Sequence, residues 1–162
     1  MRIFALALAA LALALAALWL SPSASAQSHP EAAAIRQAAL DYIDGWYEAD
    51  AARMERALHP ELAKRIVQAD PATGKSQLRN MTAAQLIEIV RKGGGSQIPK
   101  EKRMREVTLL DTFGNTATVK IDSAVFVDYV HLAKWNGEWK IINVLWELKP
   151  RRGAPATGRT PI

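Results

Sequence analysis

The sequence predicts an α+β domain in which a mainly antiparallel sheet packs on three N-terminal helices. Three observations lead there. Apolar residues recur at helical spacing between Ile35 and Val90. From Arg103 onward the period changes to two, in runs rich in β-branched and aromatic residues. Asn136-Gly137 joins the last two such runs, which is the strongest short-range signal for a β-hairpin. Composition removes the main alternatives. The 162 residues are 49% hydrophobic and 23% charged, with a formal charge of +5, too apolar and too mixed in charge for a disordered chain. Without cysteine, neither a disulfide-stapled fold nor a thiolate zinc module can form.

Residues 1–26 read as a secretory signal peptide. Arg2 is followed by the apolar run Ile3 to Leu20, the helix-breaking Ser21-Pro22-Ser23, and the small-x-small site Ala24-Ser25-Ala26. The alternative, an uncleaved anchor, would rest on a run at the short end for a membrane span. Cleavage leaves one domain, residues 27–149, and a Pro/Gly-rich tail, residues 150–162. Arg151, Arg152 and Arg159 lie in that tail, so the folded part is nearly neutral, which speaks against a nucleic-acid partner. The expected location is periplasmic or secreted, with no membrane partner once the signal is removed.

Ser28 and Glu31 form an N-terminal capping box, with Pro30 in the first turn. The first helix then buries Ile35, Ala38, Ala39, Tyr42, Ile43, Trp46 and Tyr47. Asp50 caps a second helix with Ala51, Met54 and Leu58 inside, closed by His59-Pro60. Leu62 to Gln68 and Lys75 to Arg79 flank the turn-rich Asp70-Pro71-Ala72-Thr73-Gly74 and read as a short hairpin. Thr82 and Gln85 form a second capping box, and Gly93-Gly94-Gly95 ends the third helix as a cap and flexible loop. Strands follow at Val107 to Thr112, Thr116 to Asp122, Val125 to Trp135 and Glu138 to Leu148.

The Asn136-Gly137 turn sets Trp135 opposite Glu138. An unbroken register then puts Phe126, Asp128, Val130, Leu132, Trp139, Ile141, Asn143 and Leu145 on one face. Tyr129, His131, Ile142, Val144 and Trp146 fall on the other. Both faces are substantially apolar, so each needs a cover. The helices supply one, and a second copy of the sheet is the expected other.

The stretches Leu58-His59-Pro60-Glu61-Leu62, Phe113-Gly114-Asn115-Thr116-Ala117, and Asp128-Tyr129-Val130-His131-Leu132 through Trp135-Asn136-Gly137-Glu138-Trp139-Lys140-Ile141 resemble the nuclear-transport-factor-2-like superfamily. The match is closest to its lumazine-binding subfamily, near the SnoaL-like polyketide cyclases, and runs from Glu31 to Lys149. The resemblance implies a cone-shaped, strongly curved sheet, a pocket between sheet and helices, and a homodimer. Trp139 and Ile141 resemble core-facing positions of that family, which assigns Asp128 and Asn143 to the pocket. Tyr129, His131, Ile142, Val144 and Trp146 would then form the dimer face. A bulge would reverse the assignment beyond it. Activity does not follow, since one fold hosts many functions.

Asp128 is the foremost candidate for chemistry. A carboxyl inside an apolar cone is desolvated, which raises its pKa toward the range of a general acid or base. The alternative is a structural carboxylate held by Asn143 or a backbone N–H. Tyr42 would be the proton donor beside it in an isomerase-, dehydratase- or cyclase-like site, or simply part of the core. Trp46 offers a stacking wall. His59 either reaches a pocket mouth or interacts with a helix dipole. The three histidines lack metal-ligand spacing, and neither metal nor cofactor is implied. The leading reading is a non-covalent binder of a small, flat, mostly apolar ligand walled by Tyr42, Trp46, Asp128, Leu132, Trp139 and Asn143, with His59 near the mouth. The cofactor-free enzyme is second, and a dimerisation module with a filled pocket is third.

Overall fold

The structure, a computed structural model, describes residues 30–150. The expected signal peptide, the expected Ser28 cap, His29 and the residues from 151 lie outside the described residues. Helix α1 (Pro30–Glu48) buries Ile35, Ala38, Ala39, Tyr42, Ile43 and Tyr47, with Trp46 partly covered. Its spacing of apolar residues by three and four produces that single inner stripe. Helix α2 (Ala51–Ala57) starts at Asp50, whose Oδ1 accepts the Arg53 N–H at 2.9 Å. The two helices approach so closely that a Cβ on Gly45 would stand 2.9 Å from the Met54 nitrogen.

Leu58 differs from its expected helical position and opens strand β1 (Leu58–Ala69). Its ψ is 144°, and Pro60 disfavours a helical His59, so the chain leaves the helix for an extended path one residue early. Strand β2 (Ser76–Thr82) pairs back on β1 antiparallel across the Asp70–Gly74 turn. Helix α3 (Ala83–Arg91) carries the full capping box of Thr82 and Gln85 and buries Ala83, Leu86, Ile87 and Val90. After a short 3₁₀ turn at Lys100–Lys102 come β3 (Arg105–Phe113), β4 (Thr116–Ser123), β5 (Phe126–Trp135) and β6 (Glu138–Leu148).

The six strands form one sheet in the order β2-β1-β6-β5-β4-β3, antiparallel except where β1 lies parallel to β6. This is the α+β class expected from the sequence, with three helices against a curled, mainly antiparallel sheet. Buried residues of α1 and α3 meet Val119, Ile121, Val130, Leu132, Ile141 and Val144 on its inner face.

The last hairpin decides how the site is built. Asn136 and Gly137 both have positive φ, 50° and 86°, as a tight two-residue turn matching strand twist requires. Pairing follows the expected register from Trp135–Glu138 to Leu132–Ile141. Ile142 is then skipped, and His131 faces Asn143. This bulge turns over every β6 side chain beyond it. Asn143 therefore leaves the Asp128 face, whereas Val144 and Trp146 join it. Val144 is fully buried, which corrects its expected place, and that of Trp146, on the outer face.

Candidate functional site

Three elements bring one ionisable side chain each to a single point. Helix α1 directs Tyr42 inward, β5 directs Asp128 inward, and β1 presents Lys64 between the buried Leu62 and Ile66. The parallel pairing of Lys64 with Val144, two residues before Trp146, brings β1 within reach of Asp128. Lys64 Nζ donates to Asp128 Oδ1 at 2.8 Å and to the Tyr42 hydroxyl at 2.8 Å. The Tyr42 hydroxyl donates to Asp128 Oδ2 at 2.9 Å. Asp128 is fully buried, Tyr42 is 2% exposed and Lys64 5%.

Burial dominates the electrostatics. It pushes the Asp128 carboxyl above its ordinary range, although Lys64 and the Tyr42 hydroxyl pull the other way. It pulls the Lys64 ammonium below its ordinary value against the opposing effect of Asp128. The Tyr42 hydroxyl is held well above its own, by burial first and by the neighbouring carboxylate second. All three shifts favour neutral forms, so a proton moves between Lys64 and Asp128 at a lower cost than in water.

A partly open cavity of about 160 Å³ adjoins this cluster, walled by Tyr42, Trp46, Lys64, Leu86, Phe126 and Trp146 among others. The Phe126 ring packs edge-on against Trp46 and Trp146, each 6.0 Å away between centroids. Lys64 Nζ stands 4.6 Å from the Trp146 ring centre. A more open groove of about 430 Å³ shares Lys64, Met81 and Trp146 with the cavity and adds Gln68 and Arg79. A larger open cleft, about 440 Å³, lies by Glu31, Trp139 and Lys134. There Lys134 and the Trp139 indole N–H already engage the Glu31 carboxylate, whereas the smaller cavity is walled by apolar surface alone.

The Gly93–Gly95 segment is a packing element, more than the flexible cap expected. The Gly95 N–H donates to the Trp46 carbonyl at 2.9 Å, and a Cβ on Gly95 would lie 2.3 Å from Trp46 Nε1. Absence of a side chain thus lets the indole lie flat against the loop and wall the cavity.

Of the residues named from the sequence, Tyr42 and Trp46 line this cavity, and Asp128 stands behind Tyr42 and Lys64 without lining it. Leu132 and Trp139 are buried toward the Asn136-Gly137 end of the hairpin. His59 is buried against Trp135, with ring centres 4.7 Å apart, and lines none of these three spaces. Asn143 bonds Arg65 at 2.9 Å and contacts His131 at 3.2 Å on the outer face. Tyr129 is half exposed on that face, and Ile142 is the bulged residue. Among the described residues no cluster of three His, Cys, Asp or Glu side chains could hold a metal ion.

Lys64 escaped sequence analysis. The available signal was the alternation Leu62, Lys64, Ile66, which places a cation on an apolar face and calls for a buried anion. Asp128 was that anion, but its partner was sought within the hairpin, in Asn143.

Comparison with known proteins bears on the family and the fold. Residues 30–147 match the family described as Putative lumazine-binding. Solved structures are similar in fold. An NTF2-like protein of unknown function from Shewanella baltica shares 19% identity at a TM-score of 0.56, over 75% of this chain and 95% of that one. Another from Silicibacter pomeroyi shares 12% at 0.62, over 76% and 99%. A ketosteroid isomerase-like protein from Erwinia carotovora atroseptica shares 14% at 0.50, over 76% and 99%. No curated protein matches the sequence significantly. With the family match spanning most of its length, the chain belongs to the family described as Putative lumazine-binding, and its curled sheet on three helices is the fold of the NTF2-like structures.

Proposed function

We propose that this domain binds a small, flat, mostly apolar molecule in the cavity beside Lys64. One observation carries the reading: aromatic walls from Trp46, Phe126 and Trp146 surround a partly open, wholly apolar space of about 160 Å³, which carbon atoms of Tyr42 and Lys64 also line. Cavities of about 150 Å³ accept a benzene-sized guest, so the size suits a single ring. A substituent can continue past Trp146 into the neighbouring groove, where Arg79 and Gln68 offer polar groups.

The experiment is a titration of the protein with toluene and related single-ring compounds, followed by tryptophan emission. Saturable quenching that is weakened in Trp146→Phe and abolished in a cavity-filling Leu86→Phe variant is expected. A linear, unsaturable response to every compound overturns the reading, and would favour a pocket filled by side chains.

The second reading, acid–base catalysis without a cofactor, is favoured by the 2.9 Å bond from Tyr42 to Asp128. In that case Asp128 works through the Tyr42 hydroxyl, since Tyr42 and Lys64 stand between it and the cavity. Homodimerisation and export belong to the proposal as well. Val67 and Leu78, paired on β1 and β2, and Tyr129 and Leu145, paired on β5 and β6, are each about half exposed and form an apolar band on the outer face, interrupted by Arg65 beside Leu145, which a second copy would cover. An exported chain cleaved after Ala26 begins at Gln27, which N-terminal sequencing from its own host reads directly.

A further inference from the structure

We infer that the ligand is an aromatic carboxylic acid with a short spacer, its ring in the cavity and its carboxylate paired by Arg79 in the neighbouring groove. This rests on the ligand-binding reading above and names the ligand class.

The two spaces share a border. Lys64, Met81 and Trp146 line both the cavity and the groove of about 430 Å³. Strand register fixes what lies beyond them. Lys64 pairs with Met81, and two residues along the same hairpin Ile66 pairs with Arg79. Directly opposed residues share a face of the sheet, and Ile66 is buried, so Arg79 belongs to the inner face, as the cavity does. Residues two apart on a strand are about 7 Å distant. The Arg79 row is therefore one step out from the row that borders the cavity.

Charge divides along the same line. The cavity is walled by apolar surface alone, so it suits a ring and disfavours a charge. No acidic side chain lines the groove, and its two cations differ. Lys64 is bonded to Asp128 and Tyr42. The Arg79 guanidinium is exposed and has no ion-pair or hydrogen-bond partner among the described residues. Acids on adjoining elements are engaged elsewhere. Asp70, in the turn between β1 and β2, accepts from Ala72, Thr73 and Gln77. Glu88 of α3 pairs with Arg91 and Lys92. A guanidinium with open donors is shaped to receive a carboxylate through two parallel N–H···O bonds.

An inward charge on an edge strand can also serve to keep other strands from pairing with it, and β2 is an edge. That role needs a charge and nothing more, and it makes ligand choice independent of Arg79. Pairing with a ligand instead sets the length of the spacer. Benzoate joins its carboxylate directly to the ring, so a ring seated in the cavity would hold the charge against apolar walls. Two methylenes, as in 3-phenylpropionate, carry the charge past Met81 and Trp146 to the Arg79 row.

The test is a titration of the folded protein at low salt with 3-phenylpropionate, its uncharged analogue 3-phenylpropionamide, benzoate and toluene, followed by tryptophan emission. The longer acid is expected to bind about tenfold more tightly than the amide, the scale of a charge-assisted pair, and benzoate more weakly than either. The preference for the acid should shrink as salt is raised. It should vanish in Arg79→Gln and return in part in Arg79→Lys, with each fold checked by circular dichroism. Equal binding of acid and amide overturns the inference. So does a preference that survives in Arg79→Gln, or benzoate binding as tightly as the longer acid. Toluene on the parent chain separates the two readings. If toluene quenches saturably while acid and amide bind alike, the carboxylate fails and the cavity stands; if none of the four compounds binds saturably, both fall.

Discussion

Asp128 stands opposite Trp146 across the last hairpin, where an unbroken ladder would have put Leu145. The offset comes from one residue, Ile142, which has no partner on β5. Because side chains alternate along a strand, it puts an aromatic wall in place of an aliphatic one and sends Asn143 to the far side.

Deleting Ile142 is therefore expected to leave the aromatic wall in place. With that residue gone, Asn143 follows Ile141 directly and still faces His131, so Val144 and Trp146 keep their inward places in a regular ladder. Urea unfolding should show a loss of about 1 kcal/mol or less, well below the severest single changes. A loss of about 4 kcal/mol or more would show that the bulge itself, and not the pairing beyond it, is what the fold requires.

Lys64→Met leaves Asp128 buried with only the Tyr42 hydroxyl as partner. Removing one member of a buried pair costs about 3–5 kcal/mol at neutral pH. The carboxyl, already raised from its ordinary 3.8, rises further without the ammonium. A carboxyl whose folded pKa exceeds its unfolded value contributes stability below 3.8, and that contribution is lost as pH climbs through the folded value. The penalty should thus be smallest in acid and grow toward neutrality. Unfolding at a series of pH values reads the sign, and a penalty that shrinks with rising pH contradicts the buried-pair account.

Gly95→Ala inserts a methyl into the Trp46 indole, 2.3 Å from Nε1. Overpacking of this kind costs about 1–3 kcal/mol. The indole must shift, so its emission maximum and its quenching by toluene should change together. A stable variant with unaltered emission would show that the loop does not hold the wall.

Leu145→Asp puts a carboxylate at the centre of the outer apolar band without touching the cavity. Sedimentation velocity should show a dimer for the parent chain and a monomer for the variant, each with native circular dichroism. A parent chain that sediments as a monomer refutes the second-copy proposal.

The sequence disclosed those elements whose causes are local. Asp50 and Thr82 announced helix starts through their own side chains, and Asn136-Gly137 announced its turn through backbone preference. Tyr42, Trp46 and Asp128 were legible as candidates because each lies on a regular inward pattern. The Ile142 bulge carries no residue that signals it, since Ile is at home in any strand. Leu58 fitted a helical stripe and was claimed by the parallel pairing with β6, a long-range contact. Lys64 was hidden for the same reason: only that pairing places it against Asp128.

The Glu31 carboxylate, in the first turn of α1, receives bonds from Lys134 at 2.7 Å and from the Trp139 indole at 2.6 Å. These partners lie 103 and 108 positions later in the chain. The first described helix is consequently fastened by the last described hairpin. A fragment lacking that hairpin has neither this clasp nor the Asp128 end of the polar cluster. The fold closes only once the hairpin is present, and its rate should be governed by the slow entropic search that closes so large a loop.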